Sequence, residues 1–222
     1  MKYKLILFDL DGTLFDVGFF ENKRKQAAST WTLIDRELGC TKEKDRLLER
    51  WINNEFDFET WAKLATEIYK RHNLTESQFN KVIESIKVMP GAKETLSKLK
   101  SYKTAVITGS FRKLALRAKT ELGINYIFAA AEFIFDKTGK LISYTILPCD
   151  YDNKITFFNA LIKSLNISPE ECIFVGDGVN DIPIAKEVGL SIAFNAREEL
   201  KEVCDVIIDK KDLREILNHL PS

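Results

Sequence analysis

Four short stretches of this 222-residue sequence carry side chains that can do chemistry together. Asp9-Leu10-Asp11-Gly12-Thr13 sets two carboxylates two residues apart, and Gly176-Asp177-Gly178-Val179-Asn180-Asp181 sets two more within five residues. Thr108-Gly109-Ser110 offers two hydroxyls around a glycine backbone, and Lys154 offers an ammonium. If Asp9, Asp177 and Asp181 converge, each pair of charges ~4 Å apart repels by about 4 kcal/mol at an effective dielectric of ~20. Such a cluster requires a cation. Carboxylates, waters and phosphate oxygens make the all-oxygen ligand set that suits Mg²⁺. A carboxylate nucleophile attacking an anionic phosphate needs the same cation, and a lysine, to lower the barrier to approach. The parts are those of a phosphoryl-transfer site.

Each stretch alone has a plainer reading. Asp-Gly after an apolar run is a hairpin signal, with Leu14 to Phe20 as the return strand. Ser110 can be a helix N-cap, the acidic loop a solvated turn, and Lys154 a surface lysine. A calcium-binding EF-hand loop is excluded, because the fifth position from Asp9 is Thr13 and the twelfth is Phe20 where glutamate is needed. Cys40, Cys149, Cys172 and Cys204 show no CxxC spacing, and with only His72 and His219 there is no zinc constellation. They read as small buried apolar residues of a reducing compartment.

The elements that must position these groups follow from the apolar pattern. Leu5–Phe8 is a short apolar run ending in a turn signal, read as a buried strand. From Asp16 to about Met89 the period is helical. Ala27, Trp31, Ile34 and Leu38 share one face, closed by Gly39; Leu47, Leu48, Trp51 and Ile52 a second; Phe58, Trp61, Leu64, Ala65 and Ile68 a third. Thr75 with Gln78 resembles a capping box and opens a fourth face of Phe79, Val82, Ile83 and Ile86. After Met89-Pro90-Gly91, helices and buried strands alternate. Strands are expected at Lys103–Thr108, Tyr126–Phe135, Leu141–Leu147, Cys172–Val175, Leu190–Phe194 and Val206–Asp209. Helices are expected around Leu96 and Leu99, then Phe111–Leu122, Ile155–Leu165, Ile184–Val188, Asn195–Val203 and Asp212–Leu220, with a short turn at Ser168–Glu171. This alternation predicts an α/β fold, a doubly wound, mainly parallel Rossmann-like sheet, with residues 16–88 inserted as a small helical unit. In such sheets ligands bind beyond the carboxyl ends of the strands, where three of the four stretches fall, with Lys154 at the start of a helix.

The bulk composition narrows the partners. Thirty-three basic side chains balance 33 acidic ones, so neither a nucleic acid nor an anionic membrane is expected as a partner. No apolar run approaches the ~20 residues of a membrane span, and the run before Asp9 is too short for a signal peptide, so a cytoplasmic location is expected. No sequence feature selects an oligomeric state.

In this order, DLDGT, ITGS, Lys154 and GDGVND resemble the four motifs of the haloacid dehalogenase superfamily, and within it the phosphoserine phosphatase-like branch. The resemblance covers residues 1–15 and 89–220 as catalytic core, and residues 16–88 look like the family's helical cap. It implies a Mg²⁺-dependent phosphatase of a small phosphorylated metabolite. Asp9 would be the nucleophile that forms an aspartyl-phosphate, and Asp11 the general acid and then base. Asp9, the Asp11 carbonyl and Asp177 would hold Mg²⁺, with Asp181 orienting its waters or Lys154. Thr108, Gly109 and Ser110 would bind the phosphoryl group, Lys154 would neutralise it, and Asn180 would contact phosphate or substrate. Dehalogenases of the superfamily carry no aspartate at the Asp11 position. Phosphoserine enzymes also place a carboxylate after the first motif and an arginine on a cap helix, where this sequence has Gly18 and Ala65. Glu21, Lys63 or Arg71 could substitute after a shift of register. Trp31, Trp51 and Trp61 read as cap core or as the lining of a more apolar pocket. A phosphotransferase or mutase with the same aspartyl-phosphate, and a catalytically idle binding protein, are the competing functions.

Overall fold

The structure, a computed structural model, describes residues 2–18, 28–150 and 154–221; Glu21 and Ala27 lie outside the described residues. The strands are β1 (Leu5–Phe8), β2 (Phe15–Asp16), β3 (Lys87–Val88), β4 (Lys103–Phe111), β5 (Tyr126–Phe135), β6 (Leu141–Ile146), β7 (Cys172–Gly176), β8 (Leu190–Phe194) and β9 (Val206–Ile208). The helices are α1 (Thr30–Leu38), α2 (Thr41–Ile52), α3 (Phe58–Arg71), α4 (Glu76–Ser85), α5 (Ala92–Lys98), α6 (Arg112–Leu122), α7 (Lys154–Leu165), α8 (Ile182–Ala185) and α9 (Glu198–Lys201). Every residue of β1 is buried, as a central strand covered on both faces requires. It lies in the middle of a sheet of order β6-β5-β4-β1-β7-β8-β9, parallel throughout except for β6, which returns antiparallel along β5. No helix among the described residues is long and apolar enough to cross a membrane.

The structure departs from the sequence pattern in several places. β4 does not stop at Thr108: it runs through Gly109 and Ser110 to Phe111, and its register with β5 shifts between Thr108 and Phe111. A bulge re-aims the strand end here. Phe111, not Ser110, precedes α6, and no side chain caps that helix. Phe15 and Asp16 pair with Val88 and Lys87, not with β1, so the Asp-Gly hairpin does not form. The helix expected from Asn195 shortens to Glu198–Lys201, because Asn195 takes a left-handed φ of 47°. The final helix is a 3-10 turn, Leu213–His219.

Helices α1 to α4 lie between β2 and β3 in the chain. Ser29 and Thr75 start α1 and α4 with reciprocal capping boxes through Thr32 and Gln78. Their apolar faces meet the long β5–β6 hairpin of the sheet. Glu76 N–H donates to the Gly139 carbonyl at 2.8 Å, and Phe133 packs on Trp31, Tyr69 and Phe79 with ring centroids 6.3, 6.1 and 5.2 Å apart. Phe111, at the end of β4, meets Trp31 at 4.4 Å. The aromatic residues thus join the helical unit to the strand end that carries Thr108 and Gly109.

Behind this wall Lys44 is buried with no hydrogen bond to its ammonium. It sits over the rings of Trp61, Tyr69 and Trp31 at 4.2, 5.0 and 5.3 Å, with Asp35 at 4.0 Å. Asp35 in turn accepts from the Tyr69 hydroxyl at 2.7 Å and faces the Cys40 thiol. Burial lowers Lys44 to about 8, against the opposing pull of Asp35, Cys40 and Asp45. With the folded value below the unfolded one, the unfolded chain holds more protons between pH 8 and about 10.5, so this group makes stability rise with pH across that window. Denaturant titrations should show the wild-type protein gaining about 2 kcal/mol on Lys44→Met between pH 8 and 10. Taking the difference removes Cys40, whose raised pKa acts in the opposite sense at higher pH. A pH-independent difference would contradict this account.

Candidate active site

Parallel register brings the motifs together. Phe8 of β1 lies opposite Val106 of β4 and Val175 of β7, and Asp9 N–H donates to the Val175 carbonyl at 2.9 Å. Asp9 is therefore one residue beyond the level at which Thr108 and Asp177 are each two beyond. Lys154, the first residue of α7, enters the same space and is fully buried. Its ammonium donates to Asp9 Oδ1 at 2.7 Å and to Asp181 Oδ1 at 2.5 Å. The second oxygen of Asp181 accepts from the backbone N–H groups of Asp177 and Gly178, both at 3.1 Å. Asp181 is consequently a brace, which orients Lys154 and shapes the loop bearing Asp177.

Asp11 is held from the helical unit. Thr30, at the start of α1, donates its N–H to Asp11 Oδ2 at 2.7 Å and its hydroxyl to Oδ1 at 2.8 Å. The next residue, Trp31, donates its indole N–H to the Gly109 carbonyl at 2.9 Å. Ser110 Oγ is buried without a hydrogen bond of normal length and lies toward Asp11, whose ionised form it helps to support. Thr13 donates to Asp177 Oδ1 at 2.8 Å. Asn180 donates to Asp150 at 2.6 Å, and Asp150 occupies the side-chain face of Gly109, where an added Cβ would lie 1.9 Å from its oxygen. Thr13, Thr30 and Asp150 were not among the sequence candidates. Thr13 was legible as the last residue of its motif and Thr30 as part of the Ser29–Thr32 cap, but nothing near Asp150 marks it.

The charge balance of the site is unequal. Asp9, Asp177 and Asp181 place carboxylate oxygens within 4.8 Å of one another, and Asp11 and Asp150 line the same cavity. Burial pushes Asp9 and Asp177 above the ordinary carboxylate range; repulsion from Asp181 and Asp11 adds to it at Asp9 and repulsion from Asp9 and Asp181 at Asp177, while Lys154 lowers both. Asp11 is raised by burial, partly offset by Thr30. The carboxylates hold Lys154 protonated above its ordinary value. One ammonium cannot neutralise this many acids. The oxygens that Asp9 and Asp177 leave without a hydrogen bond among the described residues are hard donors facing a shared space, so the donor set fits a divalent cation of the Mg²⁺ type.

The cavity above these residues has a volume of about 280 Å³ and is bounded on the helical side by Ala28, Ser29, Trp51, Ile52, Phe58 and Trp61. Residues 3–189 match the model of the haloacid dehalogenase-like hydrolases. The chain is 34% identical to a phosphoserine phosphatase of Methanocaldococcus jannaschii over 99% of its own length and 98% of that protein's, and 31% identical to one of Wolinella succinogenes over 98% and 100%. A solved structure described as a substrate-bound phosphoserine phosphatase complex superposes with a TM-score of 0.81 at 32% identity, covering all of both chains. The chain belongs to the haloacid dehalogenase-like hydrolase family. Within that family it is an enzyme of the phosphoserine phosphatase-like branch, a phosphatase.

The family member's expected substrate clamp is absent from the described cap residues. Ala65 is wholly buried inside α3, and Gly18 is exposed. Lys63 pairs with Glu59 at 2.5 Å and Arg71 pairs with Glu43; neither lines the cavity, and Glu21 is outside the described residues. At the floor of the site, Gly12 has φ of 88°, and a Cβ there would fall 2.3 Å from Asp177 Oδ2. Gly12→Ala should therefore displace the Asp177 carboxylate and weaken binding of a divalent cation, with Mg²⁺ as the probe, by at least about tenfold in calorimetric titration, roughly 1.4 kcal/mol. Unaltered affinity would remove Asp177 from the cation site.

Proposed function

We propose that this chain hydrolyses a small phosphomonoester through an aspartyl-phosphate on Asp9, with Mg²⁺ as the cation. The observation that carries the residue roles is the bridge of Lys154 between Asp9 and Asp181, set beside an Asp177 that keeps one oxygen free. A carboxylate poised by a buried ammonium, next to a cation site, is the arrangement that attack on a phosphate needs. Asp9, Asp177 and the Asp11 carbonyl would hold Mg²⁺, which supplies the positive charge that offsets the approach of two anions.

Asp9 attacks phosphorus, and the bond from phosphorus to the ester oxygen breaks. Asp11 gives its proton to the departing alkoxide, then takes one from the water that attacks the aspartyl-phosphate, releasing Asp9 and inorganic phosphate. The Thr108 hydroxyl, the Gly109 N–H and Ser110 hold the phosphoryl group, and Lys154 counters its charge. Asn180 serves as a phosphate or substrate contact once it parts from Asp150. Thr30 holds the Asp11 carboxylate in line, so the helical unit acts as a cap that completes the site when seated. The full-length likeness to relatives named phosphoserine phosphatase supports this reading and makes phosphoserine the reference substrate. Four free cysteines agree with a cytoplasmic setting.

Phosphate release should vanish in Asp9→Asn protein, by a factor of at least about 10³ in kcat. EDTA should abolish it in the wild type, and added Mg²⁺ should restore it. Full activity of the Asp9→Asn protein would refute the mechanism.

A further inference from the structure

The cavity over Asp9 has two chemically different ends. Its floor is formed by the carboxylates, Thr108 and Gly109, and takes a phosphate with its cation. Its cap wall is formed by Trp51, Ile52, Phe58 and Trp61, with no charged side chain among the described cap residues that line it. The three rings form one cluster: centroids are 5.4 Å apart for Trp51 and Trp61, 6.0 Å for Trp51 and Phe58, and 5.7 Å for Phe58 and Trp61. Trp51 is half-buried and Ile52 is 56% exposed, and both line the cavity.

The neighbouring charged cap residues point elsewhere in their pairing. Lys63 is engaged by Glu59, Arg71 by Glu43 and Arg50 by Glu55. Lys44 is sealed behind the Trp61 ring. A substrate carrying an α-amino acid group would lose hydration against this wall and find no countercharge among its described residues. Aromatic faces attract an ammonium but repel the carboxylate beside it. An apolar ring would instead gain burial and offset stacking.

We infer that the preferred substrate is the monophosphate of an alcohol with a flat apolar or aromatic body, bound with its phosphate over Asp9 and its body against Trp51, Phe58 and Trp61. This rests on the phosphatase reading above. At about 280 Å³ the cavity lies near the small end of ligand sites, which run from ~300 to ~1,000 Å³, so a single ring fits the inference better than a large conjugate. Arg197 and Glu199 stand on the core side of the same cavity. Their opposite charges select no net charge in the substrate, but together they are a pair able to meet a zwitterion.

The test compares 2-phenylethyl phosphate with O-phosphoserine, both of which leave as alkoxides, so that wall contacts rather than leaving-group acidity set the difference. The expected ratio of kcat/KM favours 2-phenylethyl phosphate by at least about tenfold. Trp51→Ala should bring that ratio toward one, chiefly by raising KM for the aromatic ester. Ile52→Asp, at an exposed position on the same rim, should do likewise and guards against a folding defect in the first variant. A preference for phosphoserine that disappears in Arg197→Ala protein overturns the inference and assigns selection to Arg197 and Glu199. Equal turnover of both esters, with p-nitrophenyl phosphate also hydrolysed, overturns the inference and leaves the phosphatase reading standing. Failure to hydrolyse any of the three esters with Mg²⁺ present overturns both.

Discussion

A single buried ammonium among several carboxylates is the constraint on which this molecule is organised. Lys154 is wholly buried, and its two ion pairs to Asp9 and Asp181 are what make its burial tolerable. Both acids must therefore be brought to it from opposite ends of the chain. Asp9 arrives on the central strand, Asp181 at the end of a glycine-rich loop, and Lys154 at the first turn of α7. The parallel pairing of β1 with β4 and β7 sets the depth at which each arrives. What the lysine leaves unbalanced, at Asp177 and the second oxygen of Asp9, is negative potential of the kind a divalent cation offsets. Structural and chemical demands coincide here, since the excess of carboxylate around Lys154 is also a donor set that fits a divalent cation.

The second dependence runs between the helical unit and the core. Two consecutive residues of α1 reach two different motifs: Thr30 holds the Asp11 carboxylate and Trp31 holds the Gly109 carbonyl. Trp31 is also the hub of the aromatic cluster that includes Phe111 and Phe133 of the sheet. Packing of the helical unit and orientation of the Asp11 carboxylate are thus tied together, because Thr30, at the start of α1, carries both hydrogen bonds to Asp11. The cluster continues through Trp61 to Trp51 and Phe58, so packing of the cap and the shape of the substrate wall share the same side chains. Lys44 beneath them is an unusual filler. Its ammonium lies over ring faces with Asp35 at 4.0 Å, too far for a hydrogen bond, and burial lowers its pKa because those contacts do not replace hydration.

The contiguous features of the sequence proved legible for a physical reason. Buried strands such as Leu5–Phe8 and Leu190–Phe194 read directly as apolar runs, and the faces of α1, α3 and α4 read from their helical period, because each pattern is written in neighbouring residues. The motifs at strand ends followed, since parallel α/β topology puts those ends on one side. Local rules failed where a distant partner competes. Ser110 looks like a helix cap but is drawn into a bulged strand by pairing with β5, and the Asp-Gly hairpin gives way because Phe15 and Asp16 find Val88 and Lys87. Trp51 and Ile52 share the apolar period of α2, and no pattern distinguishes an apolar residue that fills a core from one that walls a cavity.

By itself, then, the order of residues determined a parallel α/β core, an inserted helical unit and the cluster of Asp9, Asp11, Thr108, Lys154, Asp177 and Asp181 as its chemistry. Tertiary structure alone decided how the acids divide their work. Asp181 spends both oxygens on Lys154 and the loop backbone, Asp177 keeps one free, and Asp11 is claimed by Thr30. It also decided that Asp150 lies on the open face of Gly109, and that the cap wall is aromatic and uncharged among its described residues. These outcomes depend on which oxygen meets which donor across separations of 3 to 164 residues, and the identity of a residue does not record its distance from a partner that only folding supplies.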